Sequence, residues 1–211
     1  QMCIRDSVVL FGSFNEFFLT VFNLQNIMVQ ATVLGMLGLA VALPLLVAEI
    51  DLSIPANLGF SSAIGALAYS DLGLPWFVAM LIGVGVATAI GFFNGLCITR
   101  LRMVSLIETL AMMIILQGAL LALTQGKTLT NLSDGYIWIG QATIGGWPVM
   151  PLVFVVALIA MGIMLTRTVL GRSIYAVGGN AVASSAAGIR VARTKVCLLY
   201  TSDAADDMQC V

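Results

Sequence analysis

The stretch WFVAMLIGVGVATAIGFFNGLCI, Trp76–Ile98, runs for 23 positions without a charged residue. At about 1.5 Å per residue, a helix of this length reaches across the roughly 30 Å hydrocarbon core of a bilayer. Comparable apolar runs occupy Ile27–Ile50, Val104–Leu123 and Val149–Leu165. Backbone in lipid must pair its N–H and C=O groups internally, which leaves helices and closed barrels. A barrel needs short strands of alternating polarity, and these runs are long and do not alternate, so they read as helices. Composition agrees: 60% of residues are hydrophobic and 9% charged, against about 25% charged in a soluble domain. The expected fold class is all-α, a polytopic transmembrane bundle of about five to six segments. One of them, Ser53–Tyr69, is rich in Gly, Ala and Ser and reads as interrupted at Pro55.

The two ends differ from the interior. QMCIRDS at 1–7 and CLLYTSDAADDMQCV at 197–211 resemble translated sequencing-adapter read-through, and the tail gathers Asp203, Asp206 and Asp207. Both are expected to be non-native and are set aside from fold reasoning. That leaves 8–196 as a partial transmembrane domain, truncated on both sides. Without the ends, the net charge of −1 turns weakly positive, and the acidic isoelectric point says nothing about partners. Of four cysteines only Cys97 lies in the interior, so no disulfide framework is expected. The chain has no His, which excludes a His-based metal site or proton relay. It also has no Gly-rich phosphate loop ending in Lys-Ser/Thr, so ATP is not bound by that motif. No catalytic residue, metal ligand set or nucleic-acid surface is expected.

Basic residues set the orientation. Arg100 and Arg102 share one short loop; Arg167, Arg172, Arg190, Arg193 and Lys195 follow the last span. Two crossings separate these groups, so they lie on one side, and positively charged loops are cytoplasmic. The intervening loop carries Lys127 and Asp134. Counting back, the polar stretch Gly12–Asn26 and the turn Ser70–Pro75 face outward, and the turn around Glu49–Ser53 faces the cytoplasm.

That turn, in LLVAEIDLSIPANLG (Leu45–Gly59), sets two carboxylates beside a membrane-length run. Glu49 and Asp51 read as a proton or ion site, a substrate contact, or the polar end of a helix. Asp51 and Ser53 with Pro55 just inside form a helix-start signal. Glu108, one turn into its helix, is either a proton or substrate ligand, or a side chain that snorkels or favours the positive helix terminus. Asn94 bonds across helices or caps an end; with Glu108 and Thr109 it is a candidate for the pathway or for helix packing. Gly83, Gly85 and Gly91 suit close helix packing. Further on, Gly178 and Gly179 give backbone freedom, Asn180 suits an N-cap, and Gly188 suits a C-terminal stop. The short helix between them either seats in a groove of a soluble partner or is an ordinary loop helix.

Five stretches, in order, carry a resemblance: FFLTVFNLQNI at 17–27, IDLS at Ile50–Ser53, GFFNGLCITRLRM at Gly91–Met103, IETLAMMIILQGALLALTQGKTL at Ile107–Leu129, and LGRSIYAVGGNAVASSAAGIRVARTK at Leu170–Lys195. They resemble the sugar permeases of ABC importers, the ribose, xylose and galactose group, with relatives among nucleoside and branched-chain amino-acid permeases. The resemblance covers nearly everything between the two ends. It implies a multi-pass subunit of the bacterial inner membrane that performs no covalent chemistry. The implied partners are a second permease subunit, an external substrate-binding protein, and a cytoplasmic ATPase that carries ATP and Mg. It implies a monosaccharide substrate, a signature turn at Ile50, Asp51, Leu52 and Ser53, and an ATPase-coupling loop over 171–193. In that loop Gly178, Gly179, Asn180, Ala183, Gly188 and Ile189 are the coupling residues. The chain departs from the family pattern at Ala48 and Glu49, where Gly-Gly is usual. It also departs at Pro55 (usually small), Glu108 (usually Ala), Gln117 (usually Arg) and Val182 (usually Glu). The competing class is an ion-coupled secondary transporter, marked by broken helices and membrane carboxylates.

Overall fold

The computed structural model describes residues 6, 10–14, 17–127 and 140–207. Asp134 and part of the expected stub of a span at Val8–Phe11 lie outside the described residues. Helix α1 covers Val21–Leu45, α2 Ile54–Ser70, α3 Trp76–Arg100 and α4 Ser105–Thr124. Strands β1, Thr143–Ile144, and β2, Trp147–Pro148, form a small antiparallel hairpin. Then come α5, Met150–Arg167; α6, Val169–Gly179; α7, Ala181–Ala186; and α8, Val191–Asp207. The bundle is all-α apart from the hairpin. Among the described residues, α1, α3, α4 and α5 are long and apolar enough to cross a membrane. Helix α2 has 17 residues.

Helix boundaries correct the sequence reading in two places. The first full span was expected at Ile27–Ile50, but α1 begins at Val21, inside the expected outer connector. Thr20 starts it there: its Oγ1 accepts a bond from the Asn23 amide, satisfying a donor that the first turn leaves free. The helix stops at Leu45 because the amides of Leu46, Val47 and Glu49 fold back onto the carbonyls of residues 42–44. Ala48 then takes φ 57°, which no helix continues through. The second correction concerns Pro55. It lies in the first turn of α2, where a missing N–H costs nothing. Helix α2 is therefore unbroken, and the break falls between α1 and α2, over residues 46–53.

Small side chains hold the bundle together. Ala79, Gly83, Ala87, Gly91, Asn94 and Ile98 recur at three- and four-residue spacing and form the buried face of α3. They meet α2, whose buried side is also mostly Ala, Gly and Ser. Lipid gives no hydrophobic drive for helix association, so close approach of small residues supplies the contact. Gly85 belongs to the other face, with open space around it, and takes no part. Helix α2 also packs on α4, α5 packs on α1, and α8 packs on both α3 and α1. Helix α8 crosses position 196 without a break, and Leu198 and Leu199 are buried.

The two ends of the bundle have different chemistry. At one, Gln25 near the start of α1 donates to the carbonyl of Gly146 in the hairpin turn. At the other, Glu49 pairs with Lys195, and Glu49, Arg102 and Lys195 line one cavity. The hairpin was not foreseen, although Gly145 and Gly146, both at positive φ, are what a two-residue hairpin turn requires.

Candidate functional site

The break at 46–53 meets α3, α4, α6 and α8. Its first half is held by elements that follow the last apolar span. Leu43 and Val47 pack against Ile174 and Val177 of α6 and Leu198 of α8. Gly178 approaches so closely that an added Cβ would lie 1.8 Å from the Leu46 carbonyl oxygen. Glu49 then reaches Lys195. Glycine is needed at 178 for this approach and not for an unusual φ. Gly178 and Gly179 are both helical, Gly179 has open space around it, and neither is among the glycines at positive φ.

The second half turns inward. Asp51 is 1% exposed, and its Oδ1 accepts from the Ser53 amide at 2.9 Å and the Ser53 hydroxyl at 2.6 Å. The carboxylate thus closes the turn into α2, and the Ser53 side chain makes no cap bond of its own. Burial pushes the Asp51 carboxyl up from the ordinary carboxylate range, and the Ser53 bonds pull it partly back. Ser53 Oγ also accepts from Asn94 Nδ2 at 2.8 Å, which ties α3 to the turn. Ser105 Oγ accepts from the Ile50 amide at 3.3 Å. Thr109 Oγ1 donates to the Ser105 carbonyl at 2.8 Å and lies 3.3 Å from that of Ile50. Asn57, one turn into α2, donates to the Ala87 carbonyl of α3 at 3.2 Å.

The structure therefore brings Ile50, Asp51, Ser53, Asn94, Glu108 and Thr109 into one neighbourhood of three helices and a turn. Leu52 is exposed and Ile50 shows only its side chain outward. Glu108 does not snorkel: it is 4% exposed, in the first turn of α4, close enough to Asp51 for their charges to interact. Asn57, Ser61 and Ser105 belong to the same buried polar set and were missed. The polar side of α2 was the visible signal for Asn57 and Ser61, one turn apart.

The residues expected to couple to an ATPase lie apart from this cluster, at the basic end. Asn180 Oδ1 accepts from the Ala183 amide at 3.0 Å and starts α7. Gly188, at φ 84°, ends it, and the amides of Gly188 and Ile189 bond back to Ser185 and Ser184. Val182 projects from α7, 81% exposed.

Comparison with known proteins identifies the family. Residues 23–202 match the family described as branched-chain amino acid transport system / permease component. The ribose import permease protein RbsC of Bacillus subtilis is 33% identical over 92% of this chain. RbsC of Escherichia coli is 31% identical over 90% of it, and the D-allose transport system permease protein AlsC of Escherichia coli 36% identical over 87%. The chain spans 60%, 60% and 57% of those proteins respectively. No solved structure matches. From the apolar helices, the turn at 46–53 and a family match running from α1 into α8, the chain belongs to the permease-component family of branched-chain amino acid transport systems.

Proposed function

We propose that this chain is part of the permease subunit of an ATP-driven importer that passes a monosaccharide from an external binding protein to the cytoplasm. In this reading α1 to α5 make five crossings of the inner membrane. The basic end faces the cytoplasm, two permease subunits enclose the pathway, and a separate ATPase carries ATP and Mg. The observation that carries it is the exposed helix α7, bounded by Asn180 and Gly188, whose neighbours on both sides grip the 46–53 turn through Gly178 and Lys195. A push on α7 from a cytoplasmic partner reaches Asp51 and Ser53 through those contacts. The relatives named for ribose import and D-allose transport support the substrate class.

The test uses the full gene with its adjacent ATPase and binding-protein genes, in membrane vesicles given labelled ribose or allose. Uptake that needs ATP, and a crosslink from Ala183→Cys to the ATPase, are expected. Buried Asp51 and Glu108 favour a second reading, ion-coupled transport. Uptake driven by an ion gradient without ATP, with no crosslink, would establish that reading and overturn the first.

A further inference from the structure

Asp51 Oδ2, Glu108 Oε2, Asn94 Oδ1 and Asn57 Oδ1 are buried without a hydrogen-bond partner. All four are acceptors. The Asn94 amide cannot turn to relieve its oxygen. Ser53 spends its hydroxyl hydrogen on Asp51, so it must receive one from Asn94, which fixes Nδ2 toward Ser53 and leaves Oδ1 free. Asn94 is 0% exposed, so water from the bulk does not reach that oxygen directly.

No basic side chain neutralises the two carboxyl groups. Among the described residues the ion pair at this end is Glu49–Lys195, which keeps Lys195 occupied. Two carboxylates buried near each other without a cation resist ionising together, because each is desolvated and each repels the other. One hydrogen resolves both problems. It removes a charge, and it converts an acceptor oxygen into a donor that a neighbouring unpartnered oxygen can receive.

We propose that Asp51 and Glu108 form a proton-binding site that holds one proton. The proton comes from the cytoplasmic water at the basic end. No bond other than O–H is made or broken. The other ionisable groups at this end are Glu49 in the same turn, Cys97 and Arg100 on α3, Arg102 in the loop after it, and Lys195 on α8. This end of α2 offers Asn57 and no ionisable group. The site does not depend on whether transport is ATP-driven.

Infrared spectroscopy of the chain in liposomes at neutral pH tests the proposal, because a protonated carboxyl absorbs apart from carboxylate and amide. The wild type is expected to show that band, and Glu108→Gln, which copies the protonated shape, is expected to lose it. In Asp51→Asn the remaining carboxyl is freed of its like-charged neighbour, and the band is expected to weaken. Circular dichroism and elution in detergent establish that each variant is folded; Glu108→Asp replaces a variant that is not, and is expected to keep the band. The folded chain holds one proton more than the unfolded chain, whose separated carboxyls are ionised near pH 7. Thermal stability of the wild type should therefore fall as pH rises through the point of release, a fall that Glu108→Gln lacks. Absence of the band in the wild type, or a band unchanged by Glu108→Gln, overturns the proposal. A band that appears only when choline replaces sodium would also overturn it, by showing that sodium occupies the site.

Discussion

Ala48 holds φ 57°, a backbone region that glycine enters freely and an L side chain resists. This gives a physical reason for the Gly expected at 48 from the resemblance to sugar permeases. The turn between α1 and α2 needs a left-handed residue at 48, and Ala supplies it at a cost. Ala48→Gly is expected to raise stability by about 1 kcal/mol, seen as a higher midpoint of thermal unfolding in detergent. An unchanged or lower midpoint would mean that Ala48 is not strained. Glu49 differs in kind, for its partner Lys195 lies 146 positions away and no local pattern points to it. Asn180 and Gly188 were legible because capping is chemistry within one turn. The burial of Glu108 was not legible, because its environment is made by residues of α3 and of the 46–53 turn. A carboxylate at a helix start looks the same in sequence whether it faces water or a neighbour.

Helices as elements followed from the apolar runs, while their ends followed from details that the runs do not contain. Thr20 starts α1 ahead of the apolar run, and the fold-back of the amides after Pro44 ends it early. Helix α6 shows how a short element is placed. Gly171 and Gly178, seven residues apart and so on one face, both meet backbone. An added Cβ would lie 2.1 Å from the Leu165 carbonyl oxygen at the first and 1.8 Å from that of Leu46 at the second. The helix thus wedges between the end of α5 and the end of α1. Gly178→Ala is expected to lower stability by about 1–3 kcal/mol, because backbone on both sides cannot swing away. Gly179→Ala, with open space around it, is expected to be neutral or slightly stabilising. Thermal unfolding of the two variants side by side separates close approach from a general intolerance of side chains in α6. Equal losses would remove the wedge argument.

At the scale of the whole molecule, the order of the ends is the consequence most open to test. Arginine and lysine counts place the loop after α3 and the segment after α5 on one side. The contacts agree with that sorting, since Gln25 meets the hairpin turn at one end and Glu49 meets Lys195 at the other. An odd number of crossings between those two ends of α1 is what both observations require. Leu72 lies in the turn between α2 and α3, and Val182 on α7; both are exposed. In a background with the native cysteines replaced, Leu72→Cys should react with a membrane-impermeant thiol reagent added to intact cells. Val182→Cys should react only after the cells are permeabilised. The converse pattern would invert the chain in the membrane and put α7 out of reach of any cytoplasmic ATPase. Labelling of both from outside would mean that one of α3, α4 and α5 does not cross the membrane, since those three helices lie between the two positions.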